Sequence, residues 1–317
     1  MRRSQSLIPS HSSRTSRTGS LRALAPLLLA ATLLGACGTP GGQSAGTSEP
    51  AKAVDTTSAA GQLDTFIRMR GSADGREVFA NWWVTMYAVF PGERPREILK
   101  LDGFNAGRML RLPDGSAQMI TREVAYYKDP KTGAILSEWA NPFTNEKNTV
   151  LHVTNDPVNA RFAAPKAGEK GTFPMTASGN DVMLRLDVPL AYPNPLSPAE
   201  FPAESSGPVY AGSEHFTFFA KASDLANPAL ASVPTTYAWA RTGPWLPWMK
   251  MGARPGYLLY SGHGKKFMSF DELPADVRDH TRANFPKYAR APEAFSTPNE
   301  TSWTFYKKQQ AAAAAKK

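Results

Sequence analysis

The sequence contains a single cysteine, Cys37, among its 317 residues. Without a second cysteine the chain cannot form an internal disulfide or a thiolate metal site, so its stability must come from a packed core. Four histidines follow Cys37, at positions 152, 215, 263 and 280, and none has the HxH or HxxxH spacing of a metal site. We therefore expect neither a metal nor a cofactor.

The sequence also lacks the short motifs that mark common enzyme classes. It has no GxSxG nucleophile elbow, no HExxH zinc motif, no P-loop and no GxGxxG dinucleotide fingerprint. Residues 262–265 (GHGK) are too short for a phosphate loop, and we interpret them as a hairpin turn. An acid and base pair is conceivable among several carboxylates, but their separation in space does not follow from the sequence. These carboxylates include Glu123, Glu138, Asp156 and Glu214.

Much of the basic charge stands at the start of the chain. The formal net charge is +9, and residues 1–37 hold five arginines and no acidic residue. The rest of the chain therefore carries +4, an ordinary surface balance. This charge gives no support for nucleic-acid binding.

A basic start, the apolar residues 24–34 and small residues before Cys37 form the pattern of a secretory signal, too short for a stable membrane span. Residues 34–37 (LGAC) resemble the lipobox of bacterial lipoproteins. The resemblance implies a signal peptide over residues 1–37, lipid with palmitate on Cys37, and the membrane as a partner. Because Gly38 rather than Asp follows, it favours the outer membrane, facing the periplasm. A plain secretory signal or a transit peptide is the alternative.

Composition divides the remainder of the chain into three parts. Residues 38–61 are rich in Gly, Ser, Thr, Ala and Pro without an aromatic residue, which predicts a flexible tether. Residues 62–306 fit one large domain, or one domain with a substantial insertion. Residues 307–317 are low in complexity and predict a disordered or frayed helical tail.

Turn residues separate runs rich in Val, Ile, Thr, Tyr and Trp between positions 63 and 162. Turn chemistry at residues 74–75, 113–115 and 129–133 predicts consecutive antiparallel strands across this region. Residues 78–89 are apolar on both faces, so this strand is expected to be covered on both sides.

The second half of the domain continues this pattern after a proline-rich segment. Six prolines in residues 189–208 exclude a regular helix or a central strand, so we predict a long ordered loop. Strands are predicted at residues 213–221, 235–241, 256–261 and 301–306, and a helix at residues 274–285. The fold class is therefore all-β and mainly antiparallel, with a barrel-like or calycin-like closed sheet and few short helices.

Four segments together resemble the DUF1838 family. They are residues 81–90 (NWWVTMYAVF), 104–127, 152–159 and 241–256 (RTGPWLPWMKMGARPG). The resemblance covers residues 63–306, and the GPWLPWM phrase is quite specific. Because the family is uncharacterised, the resemblance implies a shared β-rich domain and supplies no mechanism.

His152 and His215 are the candidate catalytic bases. Each has three interpretations: a buried and hydrogen-bonded imidazole, a general base or ligand-binding group in a barrel lumen, or an exposed ring. His280 lies beside Asp279 and Arg282 on the predicted helix, which favours a solvated residue.

Aromatic residues form the second candidate group. Tyr237, Trp239 and Arg241 share one strand face at period two, and Trp245 and Trp248 follow in a proline-stiffened turn. The group could form an aromatic wall, with Arg241 fixing a carboxylate or carbonyl. Alternatively the phrase plugs one end of the sheet as core. The candidate ligand-binding residues are Trp83, Tyr87, Trp239, Trp245, Trp248 and Tyr260.

The leading hypothesis is a lipid-anchored, extracytoplasmic domain that binds a hydrophobic or aromatic small molecule in a barrel-like pocket. The second is a proton-transfer enzyme (isomerase, lyase or hydrolase) with His152 or His215 as base and Arg241 or Tyr237 as oxyanion partner. The third is a structural envelope protein without a ligand.

Overall fold

The described part of the chain is built mainly of β-strands. The structure is a computed structural model and describes residues 54–171 and 173–316. The strands are β1 (Val78–Val89), β2 (Arg96–Arg111), β3 (Ala117–Lys128), β4 (Glu138–Ala140), β5 (Lys147–Thr149), β6 (Val153–Asn155), β7 (Ala160–Phe162), β8 (Met175–Ser178), β9 (Asp181–Pro193), β10 (Val209–Lys221), β11 (Thr236–Gly243) and β12 (Tyr257–Phe267). The helices are α1 (Ala59–Arg70), α2 (Ala222–Ala226), α3 (Ala275–Asn284) and α4 (Ser302–Ala314), with 3₁₀ turns at Pro247–Met249, Phe270–Glu272 and Pro286–Ala289.

Two turns lie where the chain needs the conformational freedom of glycine. Gly115, between β2 and β3, and Gly133, after β3, have φ angles of 83° and 73°, a region that other residues rarely adopt. Asp129 supports the second turn, because its Oδ1 accepts the backbone N–H groups of Lys131 and Thr132 at 2.9 and 2.7 Å. The turns predicted at both places are confirmed.

Ten strands form one antiparallel sheet. The order is β6–β3–β2–β1–β12–β11–β10–β9–β8, and β7 also pairs with β3. β4 and β5 form a separate hairpin. The last strand, β12, pairs with the first strand, β1, so the two halves of the chain join in the middle of the sheet. The predicted class, mainly antiparallel β with few short helices, is confirmed.

The sheet curls around helix α1. The ring of Phe66 on α1 lies 5.1 Å from that of Phe162 on β7 and 6.0 Å from that of Phe218 on β10. Six strand spacings separate β7 from β10, which is about 29 Å in a flat sheet. The sheet must therefore curve strongly, with α1 on its concave face.

Both faces of the sheet carry a hydrophobic core. The larger core lies on the concave face and includes Ala80, Met86 and Leu184. The smaller core lies on the convex face of β1, β2 and β3, where Phe79 packs with Val277 of α3. β1 is thus covered on both sides along part of its length, as its two apolar faces predict.

Helix α4 occupies the open side of the curved sheet. No strand pairing among the described residues joins β6 or β7 to β8, so the predicted barrel closure is not found. α4 lies against β6, and its Trp303 packs edge-on against Tyr210 of β10, with 4.8 Å between ring centroids. The helix rather than a strand ladder bridges the two sides at this position.

Three element predictions are wrong. Residues 301–306, predicted as a strand, begin α4, where Thr301 and Thr304 form a capping box. Residues 63–70, predicted among strands, belong to α1. Residues 262–265, predicted as a hairpin turn, lie inside β12.

The folded region starts before the predicted domain boundary at residue 62. Helix α1 begins at Ala59, and the Ser58 hydroxyl caps it by accepting the N–H of Gly61 at 3.0 Å. The predicted signal peptide, Cys37 and residues 38–53 of the predicted tether lie outside the described residues.

Strand β9 extends into the segment predicted as a loop. β9 pairs with β10 as far as Pro193, which leaves residues 194–208 as the loop. Pro189 and Pro193 are tolerated because β8 pairs with β9 only up to Leu184. Beyond that point no described strand pairs with the outer edge of β9. The N–H group that each proline lacks is therefore not needed as a donor to a neighbouring strand there.

Candidate functional site

Charged and hydrogen-bonding side chains gather among aromatic rings on the concave face. The pairing registers place the members on strands on the face that carries the larger core, and Arg70 reaches Asn105 on that face from helix α1. We call this set the concave polar cluster. Its members are Arg70 of α1, Trp82 of β1, Glu123 of β3, Asn155 of β6, Glu214 of β10, Trp239 and Arg241 of β11, and Tyr260 of β12.

Arg241 contacts three residues on the neighbouring strands β10 and β12. Its Nη1 lies 3.3 Å from Oε1 of Glu214, and its Nη2 donates to the hydroxyl of Tyr210. The guanidinium carbon lies 5.4 Å from the centre of the Tyr260 ring. Burial opposes the positive charge, but Tyr210 and Glu214 outweigh it and raise the pKa of Arg241 well above its ordinary value. Arg241 is therefore a fixed cation inside the fold.

Glu123 shares the interior with Arg241 and Glu214. Its Oε1 accepts a hydrogen bond from Nδ2 of Asn155 at 2.6 Å. Burial raises the pKa of Glu123; the Asn155 hydrogen bond opposes the shift, Glu214 adds to it, and Arg241 and Arg70 oppose it. Strands β10 and β11 lie five and four places from β3 in the sheet. The curvature therefore brings these side chains within electrostatic range.

Arg70 supplies a second cation at the end of α1. Its Nη2 donates to Oδ1 of Asn105 on β2 at 2.7 Å. Burial lowers the pKa of Arg70, while Tyr237 and Glu123 favour its charged form. An arginine stays protonated in proteins even so, and the interior holds two guanidinium groups.

Lys266 adjoins the cluster on β12. Its Nζ donates to the backbone carbonyls of Arg68 and Gly71 at 2.6 and 3.0 Å, which satisfies acceptors at the end of α1. Burial, assisted by Arg70 and Arg68, lowers the pKa of Lys266 well below that of an ordinary lysine. Its hydrogen bonds assign Lys266 to holding α1 in place.

Aromatic rings surround Trp239 beside Arg241. The Trp239 ring lies 6.1 Å from that of Trp82, 6.0 Å from that of Phe216 and 5.9 Å from that of Tyr260, measured between centroids. These rings give the cluster an apolar surface next to its charged groups.

Four polar atoms of the cluster are buried and have no hydrogen-bond partner among the described residues. They are Nε of Arg241, Nε1 of Trp82, Nε1 of Trp239 and Oδ1 of Asn155. Each such atom costs about 1–3 kcal/mol, and in native proteins it often indicates water, an ion or another group at the site. The side chains of Arg241 and Glu214 also keep 22% and 21% of their surface accessible. The cluster thus has both unmet hydrogen-bonding capacity and surface for contact.

Four of the residues predicted from the sequence lie side by side. Tyr237, Trp239, Arg241 and Tyr260 share the concave face of β11 and β12. The hydroxyl of Tyr237 donates to the backbone carbonyl of Asn81 at 2.8 Å, and burial raises its pKa. That hydroxyl therefore uses its hydrogen in a bond to the sheet and cannot donate it to a substrate at the same time.

His215 lies on the opposite face from Arg241. It pairs with Ala240, which alternates with Trp239 and Arg241 along β11. Its side chain is 55% exposed, and its Nδ1 lies 2.8 Å from Oδ1 of Asp187. Of the three interpretations, the exposed one describes His215.

His152 lies next to β6, at the edge of the sheet. Its Nδ1 accepts the backbone N–H of Tyr127 at 3.2 Å, and its ring lies 5.4 Å from that of Tyr126 and 6.3 Å from that of His280. Burial, assisted by His280, lowers its pKa to about 4. His152 is half-buried and hydrogen-bonded, which is nearest to the first of the three interpretations, and no contact among the described residues joins it to Arg241 or Tyr237.

The other four predicted ligand-binding residues lie outside the cluster. Trp83 and Tyr87 alternate with the concave residues of β1 and so face the convex side, where Trp83 stacks on His263 at 5.5 Å. Trp245 and Trp248 are only 1% and 3% exposed. Their burial matches the interpretation of the GPWLPWM phrase as a core plug.

Sequence reasoning missed Arg70, Trp82 and Asn155 as members of the cluster. Trp82 could have been found, because it alternates in phase with the buried residues of β1. Glu123 was named only as one of several carboxylates whose distances from one another did not follow from the sequence. No local pattern indicates that Glu123 meets Asn155, since that contact depends on the register between β3 and β6.

Two surface depressions are lined by none of the cluster's members. One, of about 360 Å³, is lined by Phe90, Phe143 and Arg96, whose guanidinium lies over both rings. The other, of about 690 Å³, is formed mainly by residues 229–234 and 265–268. Neither is lined by a residue with a buried, unpaired polar atom. The concave polar cluster is the stronger candidate because its polar groups converge.

The described part of the chain has neither a metal-binding group of side chains nor a membrane-spanning helix. No group of three or more His, Cys, Asp or Glu side chains there has the geometry to hold a metal ion. No helix among the described residues is long and apolar enough to cross a membrane.

By its fold and its cluster, the protein belongs to the class of β-rich domains that have a curved antiparallel sheet with charged and aromatic residues on its concave face. Residues 75–310 match the family described as "Protein of unknown function (DUF1838)". The chain belongs to this family, and the resemblance seen in its sequence is confirmed. No curated protein matches the chain.

Proposed function

We propose that the domain binds a small molecule with an apolar or aromatic body in the concave polar cluster. The observation that carries the proposal is the set of four buried polar atoms without partners beside the rings of Trp82, Trp239 and Tyr260. A bound molecule would satisfy these atoms and cover the accessible surface of Arg241 and Glu214.

Native mass spectrometry of the full chain, purified from its own host, tests this proposal. We expect a co-purifying small molecule in the wild type. Trp239→Leu should lose it, because the ring on the concave face is removed. Trp83→Leu is the matched control, since this tryptophan faces the convex side, and it should keep the adduct. A wild type without any adduct, or equal retention in both variants, would contradict the proposal.

Proton transfer on the bound molecule is the second candidate function. It is supported by the raised pKa of Glu123 and by the position of Glu214 on the same face. A protonated carboxyl can act as an acid while a carboxylate paired with Arg241 can act as a base. This arrangement replaces His152 and His215, which lie elsewhere, as the proposed acid and base.

We also propose that the domain is anchored through lipid on Cys37, on the outer membrane and facing the periplasm. The support is the resemblance of residues 34–37 to a lipobox after a basic and apolar start. Cys37→Ser should abolish acylation and release the chain from membranes. Continued lipid labelling of the variant would contradict the anchor.

A further inference from the structure

The unpaired nitrogen atoms of the cluster on β1 and β11 are all hydrogen-bond donors. Nε of Arg241 and Nε1 of Trp82 and Trp239 each carry a hydrogen, and an indole nitrogen cannot accept one. The Trp82 and Trp239 rings are in contact, and Trp239 precedes Arg241 by two residues on the same strand face. This part of the cluster therefore lacks acceptors, which a ligand could supply as oxygen atoms.

The charges of the cluster also favour a ligand with negatively charged oxygen atoms. Arg70 and Arg241 are two cations, and Glu214 pairs with Arg241 through only one of its nitrogens. Glu123 is the remaining acid, and burial favours its neutral form. If Glu123 is protonated, the charged members of the cluster, Arg70, Arg241 and Glu214, carry one more positive than negative charge. An anionic group on the ligand would balance it.

Resting on the proposed function, we propose that the bound molecule is a carboxylate. Its carboxylate group accepts hydrogen bonds from Arg241 and from the indole N–H groups of Trp82 and Trp239. Its apolar or aromatic body packs on Phe216 and Tyr260, whose rings flank Trp239 at 6.0 and 5.9 Å. Charge-assisted hydrogen bonds of this kind are stronger than neutral ones.

Glu123 makes the binding of a carboxylate depend on pH. Glu214 of β10, Arg241 of β11 and Arg70 of α1 act on its pKa through their charges, and its own charge acts in turn on the pKa values of Tyr127 and Tyr288. Once Glu123 loses its proton, its negative charge repels a second carboxylate in the same interior. Affinity for a carboxylate should therefore fall as pH rises, and Glu123→Gln should remove that fall.

Isothermal titration of the full chain with matched probes tests the proposal. The probes are 2-naphthoate and octanoate, each compared with its neutral amide, 2-naphthamide and octanamide. At pH 6 we expect each carboxylate to bind at least tenfold more tightly than its amide. The amides keep the apolar body, so they report on the proposed function separately from the charge.

Two variants assign the preference to the cluster. Arg241→Gln should reduce carboxylate affinity at least tenfold and amide affinity much less, because an amide has no charge to pair with the guanidinium, whereas Arg185→Gln, at an exposed position, should change neither. Because Arg241→Gln removes a buried charge and could impair folding, Glu214→Gln is the second variant. It leaves Arg241 without its carboxylate partner and should strengthen carboxylate binding severalfold.

The outcomes separate the two proposals. Amides that bind as tightly as carboxylates would overturn the carboxylate assignment and leave small-molecule binding intact. Carboxylate binding that is indifferent to both Arg241→Gln and Glu214→Gln would also overturn it. If none of the four probes binds, both proposals fail.

Discussion

Lys128 carries a buried positive charge that carboxylates of the protein itself neutralise. Its side chain is 3% exposed, and its Nζ donates to the carboxylates of Asp102, at 2.7 Å, and Asp276. Burial lowers its pKa, but these two hydrogen-bonded carboxylates outweigh that effect and raise it. Here the protein supplies two carboxylate partners, in contrast to Nε of Arg241, which has no hydrogen-bond partner among the described residues.

Removing the Lys128 charge should destabilise the domain. Lys128→Met leaves Asp102 facing an apolar chain, and we expect the free energy of unfolding to fall by about 2 kcal/mol. This is below the 3–5 kcal/mol of a fully buried pair, because Asp102 and Asp276 are 16% and 56% exposed. Urea unfolding measures the change. Lys147→Met, at an exposed pair with Glu138, is the control and should change stability by less than about 0.5 kcal/mol.

His152 should make stability depend on pH. Its pKa in the folded chain is about 4, below the ordinary 6.5, so the unfolded chain takes up the proton first as pH falls. Stability is fully present above pH 6.5 and is lost between 6.5 and 4. His152→Asn keeps an acceptor for Tyr127 N–H but does not titrate. Between pH 7 and 4.5 the wild type should lose about 2–3 kcal/mol more than the variant; parallel profiles in urea unfolding would contradict this.

Strand β12 contains two glycines at positions where a side chain would not fit: a Cβ at Gly262 would overlap the backbone carbonyl of Trp83 and the side chain of Val84 on β1. Gly262 lies opposite Trp239 and Gly264 lies opposite Tyr237 in the pairing with β11. A Cβ at Gly264 would overlap the Tyr237 ring and the backbone carbonyl of Asn81. The glycines that looked like a turn in the sequence are therefore spacers inside a strand.

Gly264→Ala should disturb this packing. The added methyl group has no free volume and must displace Tyr237, whose hydroxyl holds the β1 backbone at Asn81. We expect a loss of about 2–3 kcal/mol, the upper range for overpacking. Ser261→Ala, on the exposed side of the same strand, should stay within about 0.5 kcal/mol of the wild type. Equal melting temperatures for the two variants would count against the spacer role.

Helices α1 and α4 were predicted as strands, for a local reason. Leu63, Phe66 and Ile67 have the i, i+3, i+4 spacing of an amphipathic helix, but the turns that follow favoured strands for the whole region. At residues 301–306 the β-formers Thr, Trp, Phe and Tyr outweighed the capping signal of Thr301 and Thr304. Short aromatic segments fit either structure until their packing partners are known.

Over the whole molecule, the sequence predicted what depends on neighbouring residues and missed what depends on distant ones. Turns at Gly115 and Gly133, the antiparallel class and helix α3 follow from local chemistry. The curvature does not, because it places Phe162 and Phe218 against one ring of α1. Barrel closure failed as a prediction for the same reason: α4, not a strand, lies on the open side.

The candidate site divides in the same way. Tyr237, Trp239 and Arg241 were found because they alternate along one strand. Glu123 joins them only through the curved sheet, four strand spacings away. The histidines were predicted as bases only because imidazole can accept a proton. The strand register places His215 on the face opposite to Arg241.

A crystal structure of the chain purified from its own host, at a resolution that shows ordered water, tests whether the concave polar cluster is a ligand site. We expect non-protein density larger than water on the concave face, with an oxygen about 2.7–3.2 Å from Nε of Arg241. Density for protein side chains alone, or single waters that satisfy Arg241, Trp82, Trp239 and Asn155, would contradict the central proposal.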